Sequence, residues 1–169
     1  MLLLIGAPPL WAQLEAGRNI RVRLAVLALI DIEPNNSPIT LNFTGPTEAG
    51  NPIQSTTDNT KWLNYSSALS STDSARTISA AVDQTIAGID LEVMTSIAMG
   101  GNGVLGTPFA PTSTVLSTTP LALINGIRGA FTGDGAMSGH QLTYSLDIND
   151  YTAIVANTQN ITVTYTISN

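Results

Sequence analysis

The sequence predicts an all-β chain of about eight or nine strands, in the pattern of an antiparallel sandwich or barrel. Three observations carry this. Apolar residues recur at every second position in one segment after another, the period at which a strand's side chains alternate between faces. Threonine and serine fill many of the positions between them, as suits the solvent side of a half-buried sheet. Clusters of Gly, Pro, Asn and Ser divide these segments. The stretches that least resist a helical reading, residues 67–75 and 151–156, are too short and uncapped to hold a helix.

The best-formed strand spans residues 20–32. Ile20, Val22, Leu24, Val26, Ala28, Ile30 and Ile32 make an unbroken apolar row. The other face reads Arg21, Arg23, Ala25, Leu27, Leu29, Asp31: polar at both ends, apolar between. Such a strand is expected to bury one face throughout and both faces over its middle. The sequence EPNNSP at 33–38 stops it. Ile39, Leu41 and Phe43 alternate as a half-buried strand, and residues 45–60 read as a polar loop. Trp62, Leu63 and Tyr65 form a short aromatic patch that fits a strand or a bulge. Ile78, Ala80 and Val82 alternate again, followed by Ile89, Leu91, Val93 and Ile97. Residues 99–111 read as a glycine and proline loop. Residues 114–117 and 121–124 are short candidate strands, and residues 126–139 are a second glycine-rich loop. Leu142, Tyr144, Leu146 and Ile148 give a clean strand closed by a turn at 147–151. Ile161, Val163, Tyr165 and Ile167 give the last one.

The 169 residues are about one domain's worth of chain, long enough to bury a core without staples. A 43% apolar content with only 11% charged residues is not the composition of a disordered chain. Six basic residues against a net charge of -6 are too few for a phosphate-binding surface, so nucleic acid is not an expected partner. The absence of cysteine excludes disulfides and thiolate metal sites. Residues 1–12 pair a short apolar run (MLLLIGAPPLW) with small residues, like the core and cleavage site of a secretory signal, although the basic leader of such signals is missing. The expected mature chain begins near Gln13, with a strand at 13–33 and a sandwich body at 34–169. The run is shorter than the roughly 20 residues that cross a bilayer, and no transmembrane segment is expected.

No stretch carries recognisable reaction chemistry, and the chain is not expected to be an enzyme. Gly101, Gly103 and Gly106 match a dinucleotide-binding spacing, but Pro108 and Pro111 follow where a helix must start to hold the pyrophosphate. A flexible inter-strand loop is the expected reading. His140 is the only histidine, with no G-x-S-x-G elbow to supply a nucleophile, and is expected at the surface or a strand edge. Asp147, Asn149 and Asp150 have oxygen ligands but not the spacing of a calcium loop. No catalytic residue, metal ligand or cofactor is assigned. Trp62 and Tyr65 are a candidate ligand platform, since exposed aromatics stack on sugars; the alternative places both rings in the core.

The arrangement resembles a pilin of the chaperone–usher type. The N-terminal sequence from Asn19 to Val26 is similar to the donor strand of such fimbrial subunits, especially those related to colonisation-factor fimbriae. Leu29-Ile30-Asp31-Ile32 resembles the point where the donor strand enters the body, and Ile161 to Ile167 the C-terminal strand. The resemblance implies an antiparallel immunoglobulin-like sandwich of about seven to nine strands, incomplete in each subunit and filled by the next subunit's N-terminal strand. It would be exported through the periplasm to the cell surface, with a periplasmic chaperone and an outer-membrane usher as further partners. Backbone hydrogen bonds would give affinity and alternate side chains specificity. Head-to-tail contacts of this kind do not close and so grow into a fibre. The donor residues implied are Ile20, Val22, Leu24, Val26, Ala28, Ile30 and Ile32. Leu27 and Leu29 fit a central strand of the chain's own sandwich equally, and a self-contained secreted sandwich binding a glycan or another surface ligand is the alternative.

Overall fold

The computed structural model describes residues 17–109 and 112–169; the segment read as an export signal, with Trp11 and Gln13, lies outside the described residues. Among the described residues there are eleven strands and no helix: β1 (Leu27–Glu33), β2 (Phe43–Thr44), β3 (Gln54–Ser55), β4 (Asp58–Ala68), β5 (Arg76–Val82), β6 (Ile89–Thr95), β7 (Asn102–Pro108), β8 (Thr114–Val115), β9 (Leu121–Phe131), β10 (His140–Ile148) and β11 (Val163–Ser168). No helix among them is long and apolar enough to cross a membrane.

All pairings are antiparallel, and they divide the strands between two layers. One layer runs β1-β4-β10-β6-β8 and the other β11-β5-β9-β7. They join where β4 meets β9, at Ser66 opposite Phe131 and Ser67 opposite Ala130. Leu63, Tyr65, Val93, Leu142 and Tyr144 of the first layer pack with Ile78, Ala80, Val82, Leu123, Ile124 and Ile127 of the second. The predicted all-β sandwich is the observed fold. The alternation in β5, β6 and β10 reports its buried face as expected.

Four stretches of the body differ from the sequence reading. The aromatic patch is the middle of the 11-residue strand β4, where Lys61 to Tyr65 are five consecutive buried residues. With both faces covered, no alternation shows. Second, the glycine-rich stretch 99–111 is not a flexible loop, because residues 102–108 form β7, which pairs with β9. The ladder shifts register between Gly103 and Leu105, a bulge that Gly103 permits at a φ of 92°. A Cβ there would meet the Gly129 carbonyl and lie 2.8 Å from Ala130 Cα. Third, β9 runs on through Phe131 into the segment expected to be a second loop. The expected strand at 39–43 is reduced to the two residues of β2, paired with β3, while Ile39 and Leu41 pack against the core without pairing.

Gly103 therefore combines a left-handed backbone with backbone contact, whereas Gly126, at a φ of 80°, has open space around it. Gly126→Ala is expected to cost only the conformational part, about 1–2 kcal/mol. Gly103→Ala adds overpacking and should cost about 2–5 kcal/mol in urea unfolding. Equal losses for the two variants would contradict this account of β7.

Candidate functional site

The apolar row of residues 20–32 divides at Leu27. From Leu27 to Glu33 the chain pairs with β4, in register from Leu27 opposite Ala68 to Glu33 opposite Trp62. Ile30 and Ile32 are half-buried against the chain's own core. β1 ends where Pro34, lacking an N–H, cannot extend the ladder. At its other end β4 stops at Ala68, and the chain turns through Ser70 and Asp73, whose carboxylate accepts the Ser70 N–H at 2.9 Å. Among the described residues, 17–26 consequently have no strand beside them. Ile20, Val22 and Leu24 are 81%, 88% and 84% exposed, and Val26 is exposed as well.

This corrects two expectations. Ile30 and Ile32 contribute to this chain's own sandwich, and Ala28 is paired opposite Ser67, so the free row is Ile20, Val22, Leu24 and Val26 alone. The middle of the row is not buried on both faces, since Leu27 and Leu29 are exposed. β1 is an edge strand.

A second edge lies close to it. β11 pairs with β5 on one side only, and β1 runs near its free side. The two edges are tied together at one end by Arg76. Its buried guanidinium donates through Nη1 to the Leu27 carbonyl and to Ser67 Oγ at 3.2 Å, and through Nε to Asn169 Oδ1 at 2.8 Å. At the other end, near Ile32, a groove of about 530 Å³ opens between the layers. Ile39, Leu91, Leu146, Val163 and Tyr165 give it apolar walls. The Tyr144 and Tyr165 hydroxyls bond to each other there, and burial pushes Tyr144 up to about 12 and Tyr165 well above the usual tyrosine value. Lys61 Nζ, also in the lining, donates to the Asn35 carbonyl at 2.8 Å, Asn35 Oδ1 at 3.1 Å and Ser37 Oγ at 3.2 Å, fixing the segment that follows β1. Sequence reading missed both cations. The available signal was phase: Arg76 stands in step with Ile78, Ala80 and Val82, and Lys61 with Leu63 and Tyr65.

The other candidates are structural. Trp62 and Tyr65 are 7% and 3% exposed, so neither ring offers a free face for a sugar. His140, expected at the surface or a strand edge, is the first residue of β10 but is fully buried, stacked on Tyr65 with ring centroids 5.7 Å apart. Nδ1 lies 2.8 Å from the Ser96 carbonyl and so carries the proton, and Nε2 lies 3.1 Å from the Tyr65 hydroxyl. That hydroxyl donates its single proton to the Leu105 carbonyl, which fastens β7 to β4. Both ring nitrogens therefore face protein oxygens inside the core. Asp147 stands opposite Asp90, which accepts from Asn149 Nδ2 at 2.7 Å, and Asp150 accepts from both the N–H and the hydroxyl of Thr152. Among the described residues no group of three or more His, Cys, Asp or Glu is placed to hold a metal ion.

Burial, the largest influence on His140, holds its pKa below the usual histidine value. The unfolded chain therefore takes up a proton near pH ~6.5 while the folded chain resists it. Stability is full above that pH and falls as pH drops toward the folded value, by up to about 1.4 kcal/mol per unit. Urea midpoints at pH 7.5 and 5.5 should show this loss in the wild type and a smaller one in His140→Gln; an unchanged slope would contradict it. No family model, curated protein or solved structure matches the chain.

Proposed function

We propose that this chain is a structural subunit of a surface filament that polymerises when residues 17–26 of one copy enter the groove of the next. The exposed row of Ile20, Val22 and Leu24 is the observation that carries this reading. Each such side chain gains about 1.5–3 kcal/mol on full burial, and monomeric proteins rarely leave a contiguous apolar row in water. The segment's backbone is unpaired, as is the free edge of β11, so strand addition satisfies both.

The placement of the two halves favours a fibre. The segment leaves the body at Leu27, beside Arg76, whereas the groove opens by Ile32. These points lie at opposite ends of β1, about 17–20 Å apart at the rise of a strand. A copy reaching into its neighbour presents its own groove at the far end, and such head-to-tail contacts propagate. Export through the periplasm, a chaperone that covers the groove before assembly, an usher, and a role without catalysis belong to the same proposal.

The wild-type protein is expected to give a ladder of stable multimers on unheated gel electrophoresis. Replacing Ile20, Val22 and Leu24 together by Asp should leave the thermal midpoint of the body unchanged, since these side chains contact no core, and reduce the ladder to monomer. A monomeric wild type, or a ladder that survives the triple replacement, would rule the reading out.

A further inference from the structure

The proposed insertion fixes which side chains of the segment stay outside, and these carry charge. If the even-numbered residues face inward between the layers, the period of a strand turns Arg21 and Arg23 outward. The edge they would flank is β1. Its outward side chains are Leu29 and Asp31, because Ile30 and Ile32 face the core. Asp31 is exposed, and its Oδ1 accepts only the N–H of its own neighbour Ile32, at 2.8 Å. It lines a shallow hollow over Asn64 and Ser66 together with a second carboxylate, Asp134, and no cation lines that hollow. On the opposite edge the outward residues of β11 are Thr164 and Thr166, which are neutral.

The charge distribution of the whole chain agrees with this placement. Residues 34–169 hold nine carboxylates against three cations, and two of those, Lys61 and Arg76, are buried and already hydrogen-bonded. Residues 17–26 hold three arginines and no carboxylate. We infer that the outer face of β1, centred on Asp31, receives the Arg21 and Arg23 guanidinium groups of a second copy of this chain. This deepens the strand-addition reading and rests on it. Arg21 and Arg23 lie two residues apart on one face, roughly 7 Å along the strand. A slip of two residues therefore exchanges one arginine for the other beside Asp31, and directly opposite or diagonal pairing both bring opposite charges together. The pair selects a basic strand and steers it to the β1 side of the opening, with its main effect on association rate.

Complementation between full-length variants tests this. Asp31→Arg places cations on both sides of the contact, and Arg21→Glu with Arg23→Glu places anions on both. Each variant alone is expected to assemble roughly tenfold more slowly than wild type at low salt. An equimolar mixture should recover the rate, because each variant supplies the partner charge the other needs. Asp31→Asn, which removes the charge without reversing it, should fall between, and the unchanged thermal midpoint of each variant monitors folding. Variants that assemble alone at the wild-type rate, or a mixture no faster than its components, would overturn the ionic contact while the wild-type ladder still stands. A wild type that never forms multimers would overturn strand addition and this inference with it.

Discussion

The length of β4 is the constraint on which the remaining arrangement depends. β1 can pair only as far as β4 extends, and β4 ends at Ala68 before the turn through Ser70 and Asp73. Seven residues of the N-terminal row gain a partner and become the edge of the sandwich. The preceding residues have the same apolar alternation but nothing to pair with, so Ile20, Val22 and Leu24 stand in solvent. A single continuous pattern is thereby split between a strand that completes this body and a segment that completes nothing within it.

Four buried polar side chains hold the margins of that body. Arg76 joins the start of β1 to Asn169, Lys61 fastens the segment that follows β1, and the His140–Tyr65 pair links β10 and β4 to the Leu105 carbonyl of β7 and to Ser96. The acceptors of Arg76 and Lys61 are neutral oxygens. These contacts satisfy buried donors and fix edges in place, which is a matter of geometry more than of charge attraction. The consequence for function is a sandwich closed by Arg76 at the end where the segment leaves and open at the end where the groove lies.

Much of the fold was legible because one face of most strands meets solvent. The rows of Ile78 to Val82, Ile89 to Thr95 and Leu142 to Ile148 announce themselves by period. The centre of β4 did not, since burial on both faces erases the alternation, and β7 did not, since its glycines adopt backbone angles that no strand pattern encodes. The N-terminal row reads as one strand from Ile20 to Ile32, but only its part from Leu27 onward forms one. Alternation records which face prefers apolar surroundings, not whether a partner lies alongside, and that was decided by a turn some forty residues away. His140 was misplaced for a related reason: its partners, Ser96 and Tyr65, come from other strands and leave no local mark.

On the proposed strand addition, residues 17–26 lack a partner within one copy and gain one in the next. Backbone amide hydrogen exchange, compared between isolated monomer and assembled multimer, addresses it residue by residue. In the monomer the amides of residues 18–26 should exchange at the rate of an unpaired chain, while those of β4, β5 and β10 are protected. In the multimer, amides of residues 18–26 and of the free edge of β11 should both become protected. Multimers whose 18–26 amides exchange as fast as in the monomer would contradict the account, whatever other surface holds the copies together.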